Sequence, residues 1–257
     1  MRPLRIDWPD ARHHVYNRTR RCERIFEHDD ACELFLQLLA QLPEKFGVRV
    51  HGYAIMPDHY HLLLQSDGNL SVAMQWFKSM FVRKLNARRQ GWDGSLFRGR
   101  FQSKPVDTDA YWRKVLAYVH LNPVADGLAP SPDAARWTSF DAYVGDAPDW
   151  LTTHELLDLH GGRQGLVDYT EDVQRGTRPK LEAKERFFEA RARLQAAEVV
   201  RLTALRRRGH SIRSIARRTN RPPSSVYRWL TQEGATTPAT LRSTGPTPAR
   251  SPTLHSP

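Results

Sequence analysis

The sequence predicts an α+β sandwich, an antiparallel sheet with helices on one face, followed by a smaller all-α extension. Three observations carry this expectation. Up to about residue 145, β-rich stretches and stretches of helical spacing follow the order β-α-β-β-α-β-α, which suits an antiparallel sheet. Residues 181–232 keep helical spacing throughout and are dense in arginine. Residues 233–257 are rich in Pro, Thr and Ser, with too few apolar groups to offset their ordering entropy, so a disordered tail is expected. Residues 146–180, polar and Gly-rich toward their end, are expected to link the two units.

The elements follow in order. His13 to Asn17 reads as a short strand. From Asp29 to Phe46, Leu34, Leu38, Leu39 and Leu42 recur at helical spacing, and Gly47 is the stop. Val48 to Met56 is β-rich, and Pro57-Asp58 makes a turn. His59 to Gln65 is a strand, and its apolar run marks it as central. Leu70 to Gln90 is an amphipathic helix closed by Gly91, and Phe101 to Val106 is a strand. Asp107 or Asp109 caps a helix from Ala110 to about Leu121, which Pro123 ends.

Composition narrows the function. The 257 residues carry 39 Lys and Arg against 28 Asp and Glu, a net charge of +11, which points first to nucleic acid and second to an acidic membrane surface. No apolar run approaches the roughly 20 residues of a spanning helix, and Met1 precedes no apolar signal core, so a cytoplasmic, nucleoid-associated protein is expected. Cys22 and Cys32 lack metal-ligand spacing, which excludes a zinc finger and a disulfide scaffold.

Two features carry chemistry. In Met56-Pro57-Asp58-His59-Tyr60-His61-Leu62-Leu63-Leu64, His59 and His61 point to one face of a strand, so both imidazoles can reach one ion. Two histidines flanked by leucine are costly to bury without partners, and a ligand role supplies one. The bland alternative is a pair of ordinary, partly buried side chains. Asp58 is either a turn residue or an orienter of the histidine ligand. In Leu116-Ala117-Tyr118-Val119-His120-Leu121-Asn122-Pro123-Val124, Tyr118 and Asn122 stack on one helical face. Either they are a core residue and a cap, or the tyrosine is a nucleophile and the amide oxygen a ligand for a hard cation. His120 points about 100° away from Tyr118 and is structural or DNA-facing.

Together these stretches resemble the HUH single-tyrosine transposases, and more narrowly their REP-associated tyrosine transposase branch. His14-Val15-Tyr16-Asn17-Arg18, Ile25-Phe26 and Leu96-Phe97-Arg98-Gly99-Arg100-Phe101-Gln102-Ser103 fit the same pattern, so the resemblance covers residues 11 to about 145. It implies a ferredoxin-like antiparallel sheet carrying the histidines, within a transposase domain of residues 1–145. It implies that His59 and His61 bind a divalent ion, Mg²⁺ or Mn²⁺, and that Tyr118 attacks a DNA phosphate to form a 5′-phosphotyrosine. Asn122 holds the place where other members have glutamine as third ligand. The bond energy is kept in the phosphotyrosine, so no nucleotide cofactor is expected. The implied substrate is single-stranded, hairpin-containing DNA of the REP type. Monomers and dimers both occur in such enzymes.

The remaining signals concern DNA. Arg18, Arg20 and Arg21, then Lys78, Arg83, Lys84, Arg88 and Arg89, then Arg98, Arg100 and Lys104 form three basic clusters. With Trp76, Phe77, Phe97 and Phe101 interleaved, they suggest a single-strand groove with charge on the backbone and rings on the bases. Arg18, Arg98, Arg100 and Lys104 are the expected contacts. From Arg201 to Arg228 there are nine arginines and no acidic residue. Ile212, Ile215, Ala216, Val226 and Leu230 would form the core of a helix-turn-helix-like unit over residues 181–232. Its recognition helix would start at Ser224 or Ser225 and bring Ser225, Tyr227 and Arg228 near duplex DNA. Two rival readings stand beside the transposase: a sequence-specific helix-turn-helix protein with a catalytically silent core, and a metal phosphohydrolase that uses water.

Overall fold

The computed structural model describes residues 7–88, 95–177, 199–219 and 223–232. The Gly91 stop, the turn at 220–222 and the tail 233–257 lie outside the described residues. Strands β1 (Ala11–Arg18), β2 (Arg49–Met56), β3 (His59–Ser66) and β4 (Gln102–Val106) form one sheet in the order β2-β3-β1-β4. Every neighbouring pair is antiparallel. Helices α1 (Asp29–Leu39) and α2 (Leu42–Phe46) join β1 to β2, α3 (Leu70–Arg88) joins β3 to β4, and α4 (Asp109–Ala125) follows β4. The order is that of a ferredoxin-like sheet.

The helices cover both faces rather than one. Val15, Tyr60, Leu62 and Leu64 pack under α1 and α3, whereas Ala54, Leu63 and Val106 pack under α4. Leu62, Leu63 and Leu64 are all fully buried. Such a continuous apolar run belongs to a strand covered on both sides. On the α4 side β2 comes so close that a Cβ at Gly52 would stand 3.0 Å from Leu116 Cδ1. The ladder bulges between Val50 and Gly52 at this place.

Local chemistry moves three boundaries. The helix expected over Asp29–Phe46 breaks into α1 and α2 because Pro43 sits in the first turn of α2. A proline there lacks the N–H that would continue α1. Thr108, not Asp107 or Asp109, caps α4, its hydroxyl accepting from the Tyr111 N–H at 3.1 Å. Pro123 lies inside α4 and does not end it. So near the terminus it removes one backbone donor, while the Asp126 N–H still bonds the Asn122 carbonyl at 3.0 Å.

The stretch expected as a linker holds, over its described residues, helices α6 (His154–His160) and α7 (Arg163–Arg175), after the short α5 (Phe140–Val144). Leu156 and Leu166 join Trp112, Val115, Leu116 and Val119 of α4 in one cluster, and Val173 packs with Ala117 and Leu121. The tyrosine helix is thus held between the sheet and a second helical layer. Near the C-terminus, a helical segment over 199–207 (α8), α9 (Ile212–Arg218) and α10 (Pro223–Gln232) enclose Leu202, Ile215, Ala216 and Val226. Ile212, Leu205, Leu230 and Trp8 pack around them. Ser211 caps α9 by accepting from the Ser214 N–H. No helix among the described residues is long and apolar enough to cross a membrane.

Two buried histidines make the fold acid-sensitive. His120 bonds Ser139 Oγ at 2.9 Å, and His51 bonds Gln65 Oε1 at 3.0 Å. His120 is therefore structural. Burial, with help from His160, pushes the His120 pKa down to about 3, and burial pushes that of His51 to about 4 against the opposing Gln65 bond. Both rings are neutral when folded, whereas the unfolded chain takes up their protons once the pH falls below about 6.5. Their stability is whole above that pH and is lost progressively toward pH 3–4, on the order of a few kcal/mol in sum. The thermal midpoint should fall steadily from pH 7 to pH 4. A midpoint unchanged over that interval would contradict this account.

Candidate active site

The α4-facing side of the sheet carries a polar strip that strand alternation and register assemble. On β3, His59 and His61 alternate with the core residues Tyr60 and Leu62. On β1, Arg18 stands opposite His59 and Tyr16 opposite His61, with His14 two residues further along. On β4, Lys104 stands opposite His14. The α4 helix lays Tyr118 over this strip. Its ring centre is 5.6 Å from that of His61 and 5.7 Å from that of His14, edge-on to both.

Both histidines of the His-x-His pair are held by the same nitrogen. His59 Nδ1 bonds Asp58 Oδ1 at 2.6 Å, so the turn residue is also an orienter. His61 Nδ1 faces His14 Nε2 at 2.9 Å. Among the described residues no hydrogen bond engages Nε2 of His59 or of His61. The two ring centres are 5.1 Å apart. An ion bound at about 2.1 Å by both nitrogens would allow at most roughly 6 Å, so this spacing is short enough for one shared divalent ion. Among the described residues no group of three or more His, Cys, Asp or Glu gathers around a metal-sized site. Further ligands would have to be amide, water or substrate oxygens, which Mg²⁺ and Mn²⁺ accept.

The electrostatics favour neutral rings on His61 and His14 and a neutral Tyr118 phenol beside positive charge. Burial first, and then His14, His59, Lys104 and Arg18, hold the His61 pKa well below its ordinary value. Burial and Lys104 push His14 down to about 3. Burial raises the Tyr118 pKa; the hydrogen bond to Asn122 opposes it, and Asp126 and Tyr16 add to the rise. Burial likewise raises Tyr16 and lowers Lys104, whose Nζ lies 5.6 Å from the centre of the Tyr16 ring.

The residues singled out in the sequence fare differently. His59, His61, Tyr118, Lys104 and Arg18 come together; Arg18 Nε lies 3.5 Å from Asp58 Oδ2. Arg98 and Arg100 sit exposed on a loop tied to the same end of β1, where the Arg98 N–H donates to the Arg18 carbonyl at 2.9 Å. Lys78 Nζ and Asn17 Nδ2 both donate to the Gly99 carbonyl and pin that loop. Lys78 thus holds protein backbone. Asn122 is nearly buried, and its Nδ2 donates to the Tyr118 carbonyl at 2.8 Å. Among the described residues its side chain bonds to Tyr118 and to neither histidine. Phe77, Phe97 and Phe101 are core residues and cannot stack on bases; Trp76 is half-buried against Phe46. On α10, Tyr227 is exposed, and the side chains of Ser225 and Arg228 lie outside the described residues.

The sequence reading did not assign His14 and Tyr16 to the site. Their i, i+2 spacing on a strand repeats that of His59 and His61, which was a usable signal. The register that sets them beside His61 was not.

Several known proteins and families are similar to this chain. Residues 9–122 match the family of IS200-like transposases, and residues 190–233 match a helix-turn-helix domain. A Haemophilus influenzae protein provisionally named a REP-associated tyrosine transposase is 28% identical over 117 residues, 41% of this chain and 66% of its own length. The match therefore spans just under two thirds of that relative. The structure of a REP-associated tyrosine transposase bound to a REP hairpin aligns with 58% of this chain and 93% of its own, at 15% identity and a TM-score of 0.48. A provisionally assigned transposase of Deinococcus radiodurans aligns with 50% of this chain and 98% of its own, at 16% identity and a TM-score of 0.34.

Proposed function

We propose, for a chain that carries the IS200-like transposase domain over residues 9–122 and a helix-turn-helix domain over 190–233, that it cleaves and rejoins single-stranded DNA through Tyr118. The observation that carries this reading is the Tyr118 ring edge-on to His61, itself beside His59, all from one chain. The Tyr118 oxygen attacks a DNA phosphorus in line with the 3′-oxygen. The phosphorus–3′-oxygen bond breaks, the phenol gives up its proton and the 3′-oxygen takes one up. One phosphodiester replaces another, so no nucleotide cofactor is required. A later 3′-hydroxyl attacks the phosphotyrosine, reverses the exchange and joins a strand. His59 and His61, with the amide oxygen of Asn122, would hold Mg²⁺ or Mn²⁺. When bound, that ion would offset charge building up on a non-bridging phosphate oxygen.

The protein's own groups do the remaining work. Asp58 and His14 hold the two imidazoles. Asn122 holds the Tyr118 end of α4. Arg18 and Lys104 supply positive charge at the two ends of the strip, and Arg98 and Arg100 extend it toward solvent. Hairpin-containing DNA, the kind bound by one structural relative, is the substrate we infer. The seven described arginines of α8, α9 and the α8–α9 turn are all exposed. They suit the phosphates of a duplex, with Ser225 and Arg228 on α10 as candidates to meet it.

The test mixes the full chain with labelled single-stranded hairpin DNA from around its own gene, with Mg²⁺, with Mn²⁺ and with EDTA. A denaturing gel should show a metal-dependent protein–DNA band. DNA bound without such a band would favour a helix-turn-helix protein with a silent core. Strand cleavage without a protein adduct would favour a water-using phosphohydrolase. Replacing Arg98 and Arg100 together by alanine should weaken single-strand binding and flatten its salt dependence by about 1.4 log units per log unit of salt, at about 0.7 per lost phosphate contact. An unchanged slope in a salt titration would remove both residues from the DNA path.

A further inference from the structure

We propose that Trp8 is a seat for the helix-turn-helix unit, one that fixes the distance and helical phase at which the chain holds duplex DNA relative to the phosphodiester it cleaves. The proposal rests on the reading of residues 190–233 as a duplex-binding unit and assigns to Trp8 the choice among DNAs by their spacing.

A helical unit of about 40 residues is at the lower limit of what folds alone. Leu202, Ile215, Ala216 and Val226 form its buried core, and Trp8 packs against that core from the other end of the chain. Among the described residues Trp8 belongs to no other apolar cluster. The indole therefore serves the unit, not the sheet. The backbone that presents it is fastened on both sides. Before it, Asp7 is 5% exposed; its Oδ1 accepts from Ser66 Oγ at 2.7 Å, and its Oδ2 accepts from the Leu70 N–H, at the start of α3, at 2.8 Å. After it, the Ala11 N–H donates to the Trp8 carbonyl at 3.0 Å and closes a turn with Pro9 second and Asp10 third. Asp10 has a φ of 60°, a conformation that aspartate tolerates. The Asp10 N–H donates to Asp67 Oδ1 at 3.1 Å, and Arg49 donates to Asp10 Oδ1 at 2.7 Å. An indole tied in this way to β2, β3 and α3 has little freedom of its own.

The same turn opens β1. From Ala11 to Tyr16, which stands opposite His61, the strand spans roughly 17 Å, about five base pairs of duplex. The described arginines of α8, α9 and their turn stay exposed while the apolar side of the unit is covered. A unit hung on a flexible segment would accept many spacings with little loss. A seated unit accepts one, and again a full helical turn away.

Two measurements on the full chain test it. Spin labels at Gln37→Cys on α1 and Arg213→Cys on α9, both exposed positions, report the distance between sheet and unit without DNA; the exposed Cys22 is replaced by Ser. The distribution should be single and narrow in the wild type and broad in Trp8→Ala. Affinity is then read by gel shift on hairpin DNA from around its own gene with its duplex flank, and on the same DNA with about 5 or about 10 base pairs inserted between hairpin and flank. In the wild type the half-turn insertion should weaken binding at least about 10-fold, and the full-turn insertion should recover most of it. In Trp8→Ala all three DNAs should bind within about 2-fold of one another. Should the Ala chain lose its helical unit, judged by circular dichroism, Trp8→Leu keeps an apolar group of smaller reach and gives the same comparison. A broad distribution in the wild type, or a narrow one that the Trp8 variants leave narrow, would overturn the seat. A narrow distribution with binding indifferent to the insertions would overturn its control of spacing. If deleting the flank leaves wild-type affinity unchanged, the duplex-binding reading falls instead, and the distances still decide the seat.

Discussion

The Tyr118→Phe chain is expected to bind single-stranded hairpin DNA like the wild type and to form no covalent adduct. The substitution removes one oxygen and keeps the ring that packs edge-on to His61 and His14. Tyr118 is partly exposed, so the fold should change by less than about 1 kcal/mol. Loss of a covalent nucleophile removes nearly all the rate, at least about 10⁴-fold. The measurement is adduct formation against time on a denaturing gel, with DNA binding followed separately by gel shift. An adduct formed at the wild-type rate would overturn the assignment. The site contains a second phenol, Tyr16, with its ring centre 6.0 Å from that of His61. A residual adduct that vanishes in a Tyr16→Phe, Tyr118→Phe chain would transfer the nucleophile to that position.

Replacing His59 or His61 by alanine should abolish metal-dependent cleavage, with a rate loss of about 10³-fold. That figure corresponds to the several kcal/mol of charge stabilisation a bound ion supplies to a phosphoryl oxygen. The two variants should differ in stability. His61 is buried, and its removal strands His14 Nε2 without a partner, at a cost of about 1–3 kcal/mol. His59 is partly exposed, and its partner Asp58 keeps Arg18 nearby. The thermal midpoint should therefore fall further for His61→Ala than for His59→Ala, although both lose activity. Cleavage rates titrated with Mn²⁺ check the first point, and paired melting curves check the second. Unchanged half-saturation by Mn²⁺ in both variants would refute the pair as the ion's ligands.

Much of the site was legible because its chemistry lies in short, local patterns. His59-Tyr60-His61 is a strand whose alternation needs no partner to be read, and Tyr118 with Asn122 is one turn of helix. The central place of β3 follows from its leucines, and the small core of α8 to α10 from apolar spacing. Those same leucines also implied a covered second face, which the expectation of helices on one side passed over. The break before Pro43, the Thr108 cap and the persistence of α4 through Pro123 turn on single hydrogen bonds, which periodicity does not weigh.

The sequence by itself determined the element order, the histidine pair, the candidate nucleophile and the arginine-rich helical extension. The tertiary structure alone decided that Tyr16 and His14 lie beside His61, that Lys104 faces His14, and that Phe77 and Phe97 are core rather than DNA-stacking residues. It also decided that α6 and α7 brace the tyrosine helix. Alternation along a strand or helix is dictated by bonds within the segment. Which residue stands across the ladder, and which face another helix covers, depends on pairings between residues such as Tyr16 and His61, 45 positions apart, that no local pattern records.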